Sequence, residues 1–145
     1  MRTSRVRLCL MLISMNLAFI WGNSLLPGEV SAALSNWLGG LLGVGGEGAP
    51  QGTGLLRKLA HFSEFACLGY LLARLASLKG ERGFHRAAPA ILGGLLAALV
   101  DESIQLITPD RGPSLVDVWI DTSGVVIGIA MLFSVYYFDS WRNQQ

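Results

Sequence analysis

The sequence predicts an all-α, polytopic membrane protein whose four transmembrane helices form a small bundle. Three observations carry that expectation. Hydrophobic residues make up 52% of the 145-residue chain and charged residues only 14%. With a positive mean hydropathy, the chain is too apolar for a soluble domain and too short for two. Four apolar stretches, 8–26, 55–77, 87–107 and 115–138, each approach the ~20 residues that a helix needs to cross a bilayer. Nearly all the ionisable residues inside these stretches fall, once the spans are oriented, in the same outer half of the membrane. Such groups are expensive at that depth, and one shared polar site is the economical explanation. The whole of 1–145 is expected to form one membrane domain.

The first span follows Arg2, Arg5 and Arg7. A basic start, an apolar core and Val30-Ser31-Ala32 also resemble a signal peptide with its cleavage site. Against that reading, the apolar core runs on toward Leu26 and the cut would lie beyond it. The segment Asn23–Leu56 holds no Lys or Arg but contains Glu29 and Glu47, as expected of an outer loop. Within it, Val30, Ala33, Leu34, Trp37, Leu38 and Leu41 share one helical face. That face suits a short interfacial helix with Trp37 at headgroup level, and equally a helix packed against the other spans. From Gly39 to Gly54 the loop is Gly-rich, with Pro50 breaking it.

The second and third spans carry polar residues near one end, which blurs their boundaries. Between them, Arg74, Lys79, Arg82 and Arg86 surround a turn. The bias of basic residues places this turn, the N-terminus and Arg142 on the cytoplasmic side, so both termini are cytoplasmic. Arg57, Lys58 and Arg111 are the exceptions. Arg57 and Arg74 can each snorkel to an interface, and Trp21, Trp119, Trp141, Tyr136 and Tyr137 near span ends fit an aromatic belt. Asp110, between Pro109 and Gly112, reads as a solvated turn residue. Cys9 and Cys67 lie at different depths, which argues against a disulfide. A net charge of +1 with no basic face or tail excludes a nucleic-acid partner.

Helical geometry brings the polar residues together. On the second span Lys58, His61 and Glu64 step round an arc of roughly 120°. On the third, Asp101 and Glu102 are adjacent, and Gln105 projects between their directions one turn nearer the surface. On the fourth, Asp117, Asp121, Gly124 and Gly128 form one stripe. Gly124 and Gly128 make a Gly-x-x-x-Gly pair that lets another helix approach closely, carrying the aspartates against neighbouring side chains. All these groups lie within roughly 15 Å of the outer ends of their helices. A single outward-facing pocket formed by the second, third and fourth spans follows.

The run Arg57-Lys58-Leu59-Ala60-His61-Phe62-Ser63-Glu64-Phe65, then Asp101-Glu102-Ser103-Ile104-Gln105, then Pro109-x-Arg111, then Asp117-Val118-x-x-Asp121-x-x-Gly124-x-x-x-Gly128 resembles the VanZ-like family. The likeness covers roughly residues 16–135, and Ser24 and Pro27 extend it upstream in a weaker form. The resemblance implies a multi-span protein of the bacterial inner membrane, associated with the cell envelope and with resistance to teicoplanin and related lipoglycopeptide antibiotics. The family's shared polar residues map onto Lys58, His61, Glu64, Glu102, Gln105, Arg111, Asp117 and Asp121.

Three chemistries compete for the residues. In the first, the pocket binds, and in a stronger form moves, a lipid-linked anionic substrate: a membrane lipid or a lipid-linked cell-wall precursor. Lys58 and Arg111 would meet its phosphate, His61 would donate to it, and the acids would orient the bases. Five carboxylates against those bases make the pocket acidic unless some are protonated or a cation is bound. In the second, the site is an intramembrane hydrolase or transferase acting on a lipid-linked phosphate, with His61 as general base or nucleophile and Glu64, Glu102 or Asp121 as partners or metal ligands. One His with several carboxylates suits Mg²⁺ or Mn²⁺ better than structural zinc. A metal is admitted by the sequence but not favoured, and no covalent-nucleophile motif is present. In the third, Lys58–Glu102 and Arg111–Asp117 pairs simply hold helices together, and the chain is a homo-oligomer or an accessory subunit of a larger membrane complex.

Overall fold

The computed structural model describes residues 2–41, 43, 50–112 and 114–143. Glu47 and the middle of the Gly-rich run, residues 42 and 44–49, lie outside these residues. The described chain is all helical: α1 (Arg2–Ser24), α2 (Gly28–Leu41), α3 (Pro50–Lys79), α4 (Phe84–Ile107) and α5 (Leu115–Arg142), with no strand among the described residues. The fold class matches the sequence reading, while the helices overrun the expected spans. Pro50 opens α3 instead of breaking a loop; proline is well tolerated in a first helical turn, where its missing N–H has no partner to lose. Val30–Ala32, the cleavage-site look-alike, lies inside α2.

Among the described residues three helices, α1, α4 and α5, are long and apolar enough to cross a membrane. At 30 residues α3 is the longest, but its cations and polar outer turns lower its hydropathy. Its position explains how that is tolerated: α3 packs against α1, α2, α4 and α5, so its polar groups meet other helices.

Local chemistry sets the helix ends. After Lys79 the chain reverses through Gly80 at φ 101°, with Gly80 N–H donating to Ser77 O and Glu81 N–H to Ala76 O, both at 3.0 Å. This is the paired-bond C-cap that needs a left-handed residue, and hence a glycine, just past the helix. At the start of α5, Ser114 Oγ accepts from Val116 N–H at 3.2 Å, an N-cap bond to an otherwise orphaned donor.

One stripe on each of α4 and α5 faces the bundle. On α4 it is Ala90, Gly94, Ala97, Ala98, Asp101, Glu102 and Gln105; on α5 it is Asp121, Gly124, Val125, Gly128, Ile129 and Leu132. Each stripe is small or apolar in one part and turns polar toward the α4–α5 turn. The small residues permit a close approach in which van der Waals packing replaces the hydrophobic driving force that lipid cannot supply. A Cβ on Gly124 would strike the backbone at Phe62 and Ala66, one on Gly128 the backbone at Ala66 and Tyr70, and one on Gly69 the backbone of Val125. Helices α3 and α5 therefore meet backbone to backbone. Phe65, Leu68, Val125, Ile20 and Leu132 fill the space around this seam.

Cys9 is buried, with its thiol donating to Leu71 O at 3.4 Å. Cys67 is exposed, and both thiols are free. On α2, Val30, Ala33, Leu34, Trp37, Leu38 and Leu41 are all exposed.

Candidate functional site

The polar ends of the stripes converge at the end of the bundle that carries the α4–α5 turn. Asp101 and Asp121 are 0% and 1% exposed, and Glu102 and Gln105 are also buried. The seam makes this unavoidable: with Gly124 against α3, the residue one turn earlier on the same face of α5 points at α3 and α4. Opposite it, His61 of α3 places Nδ1 3.8 Å from Asp101 Oδ2, its side chain 12% exposed. One nitrogen of His61 and one oxygen each of Asp101 and Asp121 all lie within 4.8 Å of one another. These groups border a small cleft lined by Arg57, Lys58, His61, Gln105, Asp117 and Asp121. Its interior has room for roughly one water molecule, and its rim is formed by the α3 cations.

Lys58 pairs with Asp117 Oδ1 at 3.3 Å, with the lysine side chain 42% exposed. That differs from the Lys58–Glu102 pair of the scaffold reading, because Glu102 is used elsewhere. Its Oε2 accepts from Ser114 N–H at 2.6 Å, so a carboxylate of α4 holds the first turn of α5. Gln105 Nε2 donates to Asp101 Oδ2 at 2.8 Å and reaches Ser24 Oγ at 3.5 Å. Glu64 lies on the α1 side of α3, its Oε1 accepting from Asn23 Nδ2 at 3.0 Å.

Arg111 occupies the turn between α4 and α5. Its Nε donates to Leu26 O at 3.2 Å and its Nη2 to Asn23 O at 3.0 Å, so the guanidinium ties the α1–α2 connection to this turn and does not pair with Asp117. Burial, reinforced by the repulsion of Arg57, pulls its pKa below the usual arginine value. Thr108 Oγ1, donating to Ser24 O at 3.0 Å, and Gly28 N–H, donating to Pro109 O at 3.1 Å, complete the same junction. Asp110, exposed at φ 57°, turns the chain there.

The site thus has a centre of His61, Asp101, Gln105 and Asp121, a rim of Lys58 and Asp117, and flanks of Glu102, Glu64 and Arg111. Arg57 lines the cleft, although its place near a span end suggested a simple interfacial anchor. Asn23 and Thr108 also take part; neutral side chains next to loops give no periodicity or charge signal by which sequence could single them out. Several buried atoms have no hydrogen-bond partner among the described residues: both carboxylate oxygens of Asp121, Oδ1 of Asp101, Oε1 of Glu102 and Oε2 of Glu64. Buried polar groups are ordinarily satisfied, so this concentration of acceptors without donors sets the polar end of the bundle apart from its apolar part.

Comparison with known proteins supplies the family. No curated protein and no solved structure matches the chain, whereas the family model described as VanZ/LLP1 matches residues 8–137, a segment containing every helix residue that faces the cleft. On that match, joined to three helices of membrane-crossing length and apolarity, the chain belongs to the VanZ/LLP1 family and is of membrane type.

Proposed function

We propose that this protein crosses the bacterial inner membrane four times, as one domain with both termini cytoplasmic, and that its outer cleft binds a lipid-linked anionic group. The fourth span is α3. Between Lys58 and Arg74 its only residues of the Asp, Glu, Lys, Arg and His types are His61 and Glu64, both turned toward neighbouring helices, and its cations sit near its two ends where they reach the interfaces. Helix α2, with its apolar face unpacked, lies on the outer leaflet.

The observation that carries the binding function is the placement of Arg57 and Lys58 on the rim of a cleft floored by buried acids. A phosphate at the outer membrane surface meets two cations there, and Lys58, already half in solvent, exchanges its Asp117 partner for the ligand without being desolvated afresh. The interior is too narrow for a headgroup, so the phosphate stays at the rim while its lipid tail remains in the bilayer. The ligand class is a membrane phospholipid or a lipid-linked cell-wall precursor, and a role in glycopeptide resistance would act through such a precursor.

Mass spectrometry of protein released gently from its membrane should find a phosphate-bearing lipid that the Arg57→Gln/Lys58→Gln double variant fails to retain. Equal retention by the variant, or a wild type without phosphate-bearing lipid, removes the reading. The topology is tested separately in a chain lacking Cys9 and Cys67. A cysteine at the exposed Gly112 should react with an impermeant thiol reagent in whole cells, and one at Arg82 should not; the reverse pattern inverts the protein.

A further inference from the structure

We propose that His61, Asp101 and Asp121 form a binding site for one divalent metal ion of the Mn²⁺ or Zn²⁺ class. Each ligand comes from a different helix, and their donor atoms already lie within 4.8 Å of one another. Around a single ion at roughly 2.1 Å, ligand atoms stand about 3 Å apart at right angles and about 4 Å apart in trans. Small side-chain rotations therefore bring the three into coordination.

The independent observation is Asp121. It is 1% exposed, lines the cleft, and has neither carboxylate oxygen partnered among the described residues. Asp101, fully buried beside it, keeps Oδ1 unpartnered as well. Two carboxylates buried side by side repel each other strongly unless one takes up a proton or positive charge lies between them. None of the nearby cations hydrogen-bonds these unpartnered oxygens: Lys58 pairs with Asp117, Arg111 donates to the carbonyls of Asn23 and Leu26, and Arg57 lines the cleft. His61 sits 3.8 Å from Asp101, beyond a good hydrogen bond. That spacing suits two ligands that share an ion better than two that share a proton.

Gln105 fits the role of a positioning residue. Its amide donates to Asp101 Oδ2 while resting against Ser24 Oγ, which fixes the carboxylate orientation as an outer hydrogen-bond partner of a metal ligand does. One imidazole and two carboxylates, with no thiolate, select Mn²⁺ or Zn²⁺ over soft metals, and three protein ligands leave positions open. This inference deepens the phosphate reading of the cleft, since an open position on the ion would face the rim where the phosphate is placed, but ion binding itself requires no lipid.

The test uses the full chain in detergent, stripped with chelator and titrated with Mn²⁺ alone while free Mn²⁺ is followed by electron paramagnetic resonance, with Zn²⁺ as competitor. Wild type should take up one Mn²⁺ per chain and release it to Zn²⁺. Asp121→Asn and His61→Gln should each weaken uptake more than about 100-fold, and Gln105→Leu by about 10- to 100-fold. His85→Gln, which alters the histidine at the opposite end of α4, should bind as wild type does. A wild type without saturable uptake, or an Asp121→Asn variant that binds normally, overturns the proposal. Should Asp121→Asn or His61→Gln fail to fold, wild-type stoichiometry and Zn²⁺ competition decide it. A wild type that takes up Mn²⁺ but carries no phosphate-bearing lipid removes the functional reading and leaves the metal site standing; the opposite pair of results does the reverse.

Discussion

The two ends of this bundle handle polar groups in opposite ways. At the end that carries the α3–α4 turn, Arg74 donates to the Tyr136 hydroxyl, and Arg86 lies 4.7 Å from the Tyr136 ring centroid and 5.3 Å from that of Phe133. Arg2 Nε donates to Leu78 O at 2.8 Å, and Arg86 Nε to Glu81 O at 3.3 Å. Every one of these cations has an aromatic face, a hydroxyl or a carbonyl, and lies near a helix end. At the end that carries the α4–α5 turn acids gather, Asp101, Glu102 and Asp121 among them buried, and several of their oxygens have no donor among the described residues. An unsatisfied buried acceptor costs about 1–3 kcal/mol, whereas a cation over an aromatic ring contributes about 0.5–1 kcal/mol at exposed sites. One end is therefore assembled to hold the bundle, while the other keeps buried acceptors that the described residues leave unpaired.

Four substitutions break or sharpen that contrast. The largest effect is expected for Gly128→Leu, because both ends depend on the backbone contact of α5 with Ala66 and Tyr70. Thermal unfolding should show a loss of at least about 3 kcal/mol, and a folded, wild-type-like variant would mean the seam is not the common frame. Next, Glu102→Leu deprives Ser114 N–H of its acceptor and should destabilise by about 1–3 kcal/mol. If stability is unchanged, Glu102 belongs with the unpartnered acids and not with the structural ones. Tyr136→Phe keeps the ring for Arg86 but removes the hydroxyl that Arg74 uses. It should cost about 1 kcal/mol in the same melt and leave lipid retention and Mn²⁺ uptake untouched; a binding defect would couple the two ends. Smallest in stability is Asp121→Asn, expected to fall within about 1 kcal/mol of wild type because a buried carboxylate without donors has little to lose. The same variant should lose the rise in melting temperature that Mn²⁺ gives the wild type, so an unchanged metal-induced rise would return Asp121 to the role of scaffold.

Much of this was legible because helix periodicity is a strong rule. Asp117, Asp121, Gly124 and Gly128 recur on one face of α5, and once small residues demand a close neighbour the acids above them have nowhere to point but inward. The α2 segment was legible as an amphipathic face, though not as an unpacked one, since sequence does not say whether a neighbour covers it. Individual partners were less accessible. Lys58 could reach several carboxylates, and it takes Asp117 because Glu102 is drawn away by a backbone N–H, a donor that every residue but proline carries and that no sequence pattern marks. Arg111 hides its role for the same reason: its acceptors are the carbonyls of Asn23 and Leu26, which any residue type would offer. The low hydropathy of α3 records its place among the other helices, a property of packing that a window of residues cannot report.

The glycine seam also determines which motions are open to the molecule. Backbone in contact with backbone has no side chains to yield, so α5 cannot ratchet one turn along α3 without bringing Ile120 or Leu132 to a position only glycine fits. Asp121 and His61 thus keep a fixed height relative to each other, whatever happens at the rim. Widening of the cleft must come as a swing of the outer helix ends about the seam, with the Arg111 and Thr108 junction to the end of α1 as the latch that such a swing would strain.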